Sequence, residues 1–253
     1  MRTLLDVINA SRWQKALFTT YALSLSFFES IILRALRQVG CQQTWIIADI
    51  NGYRSSLIER RSSAVGQDYR LIPLRLSNGV FHPKCTYLVG EDEDVIVVGS
   101  GNLTFGGFGR NLEVIEVFSS QKTPTVFTDF SDFVSALEHK GVDQFQCADR
   151  LWMELFRSRA RAVARGATSG DSLKLVHSVT TPILETVSSI VGVADELTVM
   201  SPFVDPDGKS IHALALRIGC KRINVAVAPK STESNFPFEL AKAWKLPRKS
   251  RLE

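Results

Sequence analysis

The chain has 253 residues, 45% of them hydrophobic, and 30 Lys and Arg against 26 Asp and Glu give a formal net charge of +4. That is enough apolar material for one large globular domain or two similar halves, which excludes a disordered chain; no apolar run reaches the roughly 18 residues of a membrane span. The opening Met1-Arg2-Thr3-Leu4-Leu5-Asp6 lacks signal-peptide order, and Cys41, Cys85, Cys147 and Cys220 are too scattered for disulfide or zinc-ligand spacing, so we expect buried thiols, no metal, no cofactor and a cytoplasmic setting.

In chain order, Ala16 to Ala22 reads as a strand. Ser26 to Gln38 follows as a helix with Phe27, Ile31, Ile32, Ala35 and Val39 at helical spacing, ended by Gly40 as a cap. Thr44 to Ala48 is a buried strand, residues 51 to 65 a second helix, and Tyr69 to Pro73 a further strand. The acidic run Gly90-Glu91-Asp92-Glu93-Asp94 reads as a hairpin tip between two apolar strands. Asn111 to Phe118 reads as a strand with Asn111 and Glu113 on one face and Leu112, Val114 and Phe118 available to a core. Alternation of strands and helices makes this an α/β chain.

Between these elements sit the residues that carry chemistry. In His82-Pro83-Lys84, strand alternation points an imidazole and an ammonium the same way, so both can meet one phosphate. Gly99-Ser100-Gly101-Asn102 adds amide and hydroxyl donors, and Glu113 adds a carboxylate eleven residues after Asn102. A neutral imidazole nitrogen is a usable nucleophile near pH 7, and a carboxylate on its other nitrogen would fix the tautomer, a role for which Glu113 is the candidate. Gly106-Gly107-Phe108-Gly109-Arg110 is expected to be mobile, with Arg110 reaching phosphate or solvent.

This set resembles the phospholipase D superfamily, whose signature is His-x-Lys, then Gly-Ser-x-Asn, then a downstream Glu. The resemblance implies a covalent mechanism without metal, in which His82 attacks phosphorus, Lys84 and Asn102 hold the non-bridging oxygens and Ser100 supports the pocket. The longer form of the family motif has an Asp five residues after the Lys, where this chain has Val89. Asp92 and Asp94 are expected to lie too far round the hairpin to replace it. Members acting on nucleic acid often lack that Asp, so the resemblance leans toward a nuclease; phospholipase or phosphatidyl transferase activity is the alternative, and an inactive nucleic-acid-binding module of a helicase or restriction-type complex a third.

A second copy of the opening pattern follows at an offset of 179. Gln38-Val39-Gly40-Cys41 aligns with Arg217-Ile218-Gly219-Cys220, and Trp45-Ile46-Ile47-Ala48 with Asn224-Val225-Ala226-Val227. We therefore expect one phospholipase D-like half over residues 1 to 123, a helical connector over 124 to 170, and an incomplete second half over 171 to 253 with no His-x-Lys. Hydrolysis through a covalent intermediate needs an acid for the leaving oxygen and a base for the water. Either a homodimer mate contributes its own His82 or residues beyond Glu253 carry the second set. Arg157, Arg161 and Arg165 share a helix face and could neutralise backbone phosphates, or form a solvated helix end favoured by its dipole. The basic stretch Lys245 to Arg251 is a further candidate contact for nucleic acid.

Overall fold

The computed structural model describes residues 3–109, 111–141, 143–165, 173–201 and 205–226, with the backbone of 251 and 252. The chain divides into two compact units, Met1–Leu175 and Val176–Glu253. No helix among the described residues is long and apolar enough to cross a membrane. The expected contacts of Arg110 and of residues 245–250 fall outside the described residues.

The first unit is built on β1 (Trp13–Thr20), β2 (Gln43–Asp49), β3 (Arg70–Leu74), β4 (Cys85–Gly90), β5 (Asp94–Gly99) and β6 (Ile115–Ser119). Their order is β3-β2-β1-β4-β5-β6. β1, β2 and β3 run parallel, β4 is antiparallel to β1, and β5 and β6 continue as an antiparallel meander. The hydrophobic faces of β1, β2, β4 and β5 put Phe18, Ile46, Leu88, Val95 and Val97 in one core with Val7 and Ile8 of α1 (Leu4–Asn9). On the other face, Tyr87 meets Phe127 and Phe130 of α6 (Thr125–Lys140) and Phe156 of α7 (Cys147–Ala164), while Trp45 meets Trp152. Both helices of the expected connector thus lie in the first unit and cover its sheet.

The helix expected over Ser26 to Gln38 is present with an altered pitch. α2 (Leu25–Phe27) passes through a π-helical turn, Phe28–Leu33, into α3 (Arg34–Gln38). The wider turn brings Phe28, Ile32 and Leu33 inward, and Ile31, expected inside from helical spacing, is 37% exposed. Gly40 ends it with φ 93°, the left-handed conformation a C-terminal cap requires. The next helix, α4 (Ile50–Glu59), stops six residues earlier than expected because Glu29 competes for the chain that follows: it accepts hydrogen bonds from Ser62 and from the Tyr69 hydroxyl and pairs with Arg60.

The strand expected from Asn111 begins only at Ile115. Residues ahead of it are held as a turn, with Asn111 N–H donating to the Gly106 carbonyl, and Leu112 and Val114 are 88% and 66% exposed rather than in a core. Gly106 and its neighbours form a short helix, α5 (Phe105–Gly109), whose Phe105 and Phe108 rings pack on Phe27. Cys41, Cys85 and Cys220 are buried thiols; Cys147 is exposed at the start of α7.

The second unit contains α8 (Ile183–Val191), β7 (Glu196–Met200), α9 (Lys209–Arg217), β8 (Arg222–Ala226) and β9 (Arg251–Leu252), its strands parallel in the order β7-β8-β9. It repeats the first unit's α3-to-β2 corner atom for atom in the backbone. Val39, Gly40 and Cys41 N–H groups donate to the carbonyls of Ala35, Arg37 and Leu36; Ile218, Gly219 and Cys220 donate to those of Leu214, Leu216 and Ala215, each 179 residues on. Gly219 matches Gly40 with φ 64°, and the Cys41 and Cys220 thiols reach the carbonyls of Gln43 and Arg222. The strand pairing differs by two residues between the copies, an even step that keeps each side chain on its face.

Candidate active site

Topology gathers the motif residues at one end of the first unit's sheet. β1, β2 and β5 finish there and β4 and β6 begin there. Tyr21 follows β1, Asp49 ends β2, His82 and Lys84 precede β4, Ser100 and Asn102 follow β5, and Glu113 precedes β6. Ligand sites in α/β sheets favour this position, where strand ends leave polar groups facing a crevice.

His82 and Lys84 meet directly. The Lys84 ammonium lies 2.8 Å from His82 Nδ1 and 3.3 Å from Nε2, and donates to the His82 carbonyl at 3.0 Å. An ammonium this close to the ring opposes a second positive charge on it, which favours the neutral imidazole. Burial, then the Lys84 charge, holds the His82 pKa below its ordinary value, partly offset by Asp49. Burial lowers Lys84 to about 8 despite the favourable charge of Glu113. The Tyr21 ring lies against His82 with centroids 4.8 Å apart.

Ser100 and Glu113 form the opposite wall. The Ser100 hydroxyl donates to the Glu113 carboxylate and accepts the Val114 N–H at 2.9 Å, while Asn111 Nδ2 reaches the other carboxylate oxygen at 3.3 Å. Glu113 was expected on His82; its hydrogen-bond partners are instead Ser100 and Asn111, and its charge acts on Lys84. The reason is local. Ser100 and Val114 exchange backbone and side-chain hydrogen bonds, which turns Glu113 toward the serine.

Asn102 is anchored by its oxygen. Oδ1 accepts the Ala22 N–H at 3.0 Å and lies 3.4 Å from the Thr20 hydroxyl, which itself accepts the Leu103 N–H. That fixes the amide orientation and turns Nδ2, the donating end, away from the anchor. Close approach of α5 completes the bend: a Cβ on Gly101 would meet the Gly107 carbonyl at 2.7 Å, and one on Gly107 would meet the Asn102 carbonyl at 2.3 Å. Beside this wall a cleft of about 770 Å³ is lined by Lys84, Asn111 and Glu113 at one side and by Leu103, Phe108 and Val117 among its apolar groups.

The arginine stripe is elsewhere. Arg159 of α7 donates to Asp94 at 2.8 and 2.9 Å and reaches the Gly90 carbonyl, at the hairpin end of β4. That end is a full six-residue strand from Lys84, roughly 20 Å. On the same helix Arg157 pairs with Glu154 and Glu138, and Arg161 with Asp132 at 3.5 Å. Arg157 and Arg161 are thus ion-paired to carboxylates, and Arg165 caps the helix's last turn. Of the two expectations for the stripe, a phosphate contact or a solvated helix end, the first is not favoured: Arg157 and Arg161 face carboxylates of α6 and α7.

Sequence reading missed Tyr21, Thr20 and Asp49. Asp49 had a signal, a carboxylate closing the apolar run Trp45-Ile46-Ile47-Ala48, and it is only 2% exposed. Among the described residues no three His, Cys, Asp or Glu side chains form a metal-binding group.

No family model and no curated protein matches the chain. Among solved structures it is similar to NucT from Helicobacter pylori, with 18% identity over 54% of this chain and 86% of that one, TM-score 0.38. It is similar also to a phospholipase D family member, Nuc from Salmonella typhimurium, with 19% identity over 56% and 86%, TM-score 0.40. Polyphosphate kinase from Porphyromonas gingivalis aligns with 98% of this chain and 38% of its own, at 13% identity and TM-score 0.42.

Proposed function

We propose that this protein is a phosphodiesterase of the phospholipase D type, acting on nucleic acid through a phosphohistidine intermediate and without a catalytic metal. The observation that carries the reading is the contact of the His82 ring with the Lys84 ammonium, at the sheet end that also holds Ser100, Asn102 and Glu113. The His82 lone pair attacks phosphorus, forming an N–P bond as the ester P–O bond breaks, and the departing oxygen takes a proton from an acid. Water then attacks the same phosphorus, gives its proton to a base, and the N–P bond breaks to restore His82. Lys84 and the Asn102 amide meet charge on the non-bridging oxygens, donors of a kind worth roughly 3–4 kcal/mol each in comparable oxyanion sites.

The acid and base are a second imidazole. A homodimer mate placing its own His82 across a twofold axis would supply it. The test is cleavage of single-stranded DNA, duplex DNA and RNA by wild type and His82→Ala, with and without EDTA. Loss of cleavage in the variant and indifference to the chelator are expected; cleavage that survives the substitution overturns the reading. The apolar cleft next to Lys84 favours a second reading, a lipid phosphodiester with its chains against Phe108 and Val117. Turnover of phosphatidylcholine vesicles without turnover of nucleic acid would select it, and salt-sensitive DNA binding without turnover would select an inactive binding module.

A further inference from the structure

Two connections lead from the β2–α4 turn to the histidine. Asp49 ends β2 and caps α4 by accepting the Asn51 N–H at 2.8 Å, and its second oxygen accepts the N–H of Phe81 at 2.9 Å. Phe81 is fully buried and directly precedes His82, so the carboxylate fixes the point from which the catalytic side chain departs. One turn on, Gly52 lies against the Tyr21 carbonyl so closely that a Cβ would come within 1.8 Å of that oxygen. Tyr21 in turn lies against the His82 ring. The backbone behind His82 and the aromatic face beside it are therefore both set by the residues 49–52.

We propose that Asp49 is the positioning residue for His82: its buried carboxylate ties the histidine segment to the end of β2 and stabilises the positive charge the ring acquires on bonding phosphorus. This rests on the phosphodiesterase reading. It gives Asp49 the electrostatic part expected of Glu113: the Asp49 charge acts on the imidazole, whereas that of Glu113 acts on Lys84. The groups facing the imidazole are Tyr21 from the end of β1, Asp49 from the end of β2 and Lys84 from its own segment; Glu113 acts through Lys84. Of these, Asp49 favours the protonated ring and Lys84 disfavours it.

The test compares wild type with Asp49→Asn and Asp49→Ser, the latter keeping a good helix cap if the former fails to fold. His82 is titrated by nitrogen NMR on labelled protein, and kcat/KM on bis(p-nitrophenyl) phosphate is followed against pH. Both variants are expected to lower the His82 midpoint by about 0.5 pH unit or more, with the acid limb of kcat/KM following it and kcat falling at least tenfold. The Phe81 amide is expected to lose hydrogen-exchange protection. A folded variant with an unmoved His82 titration overturns the proposal, whatever its activity. An inactive wild type whose His82 titration still moves with Asp49 removes the phosphodiesterase reading and leaves the positioning intact.

Discussion

Val89 and Asp94 are direct partners across the β4–β5 ladder. The motif position that carries Asp in longer members is Val89 here, yet a fully buried carboxylate stands opposite it, accepting from the Tyr87 hydroxyl at 2.7 Å, the Gly90 N–H and Arg159. This corrects the expectation that Asp94 sits too far round the hairpin. The carboxylate lies at the end of the sheet away from His82, where it ties the β4–β5 hairpin to α7.

Arg159→Ala leaves that buried charge with neutral donors only. Removing one partner of a buried pair costs about 3–5 kcal/mol, and the lower figure applies because the Arg159 side chain is 42% exposed. Urea unfolding is expected to show a drop of about 3 kcal/mol at an unchanged slope, with catalytic parameters of the folded fraction unaltered.

The pH profile follows from two depressed pKa values. In the proposed mechanism His82 attacks as the neutral ring; it is held below its ordinary 6.5, so kcat/KM is expected to reach its plateau at lower pH than a free imidazole would allow. Lys84 must be protonated to hold phosphate and titrates at about 8, so activity is expected to fall on the alkaline side from there rather than from above 10. The same lowering opposes folding below pH 8 and is relieved between pH 8 and 10.5, because the unfolded chain then binds more protons. An alkaline limb near 10 in kcat/KM would contradict this assignment.

Glu113→Gln keeps an acceptor for Ser100 but removes the charge that supports the Lys84 ammonium. The alkaline limb is expected to move below 8, with kcat/KM at pH 8 reduced about tenfold and a smaller loss at pH 6.5. Equal losses at both values would assign Glu113 a role unrelated to Lys84.

Gly52→Ala drives its Cβ into the Tyr21 main-chain carbonyl, a collision that no side-chain rotation can relieve. A stability loss of about 2–3 kcal/mol is expected, with a lower kcat as Tyr21 moves off the His82 ring. Thermal unfolding and steady-state kinetics read the two effects separately.

The grouping of the motif residues was legible where it is local. His82 and Lys84 are two residues apart and meet; Ser100, Asn102 and Glu113 occupy one strand end because a meander brings them there. Sequence did not reveal the neighbour of each polar group. Which way Glu113 turns is decided by the Ser100–Val114 hydrogen bonds, and which carboxylate stands behind His82 is decided by the order β2-β1-β4, which no periodicity encodes. The arginines illustrate the same divide. Their four-residue spacing does place Arg157 and Arg161 toward α6, but the end of the sheet reached by α7 depends on aromatic contacts such as Trp45 with Trp152.

The glycine corner that closes α3 and α9 is one solution used twice with different side chains around it: Leu36, Arg37 and Gln43 in one copy, Ala215, Leu216 and Arg222 in the other. Its geometry resides in the main chain and the left-handed glycine, so the surrounding residues are free to diverge. Such a corner is a portable part: a main-chain joint that makes few demands on the surfaces either side of it.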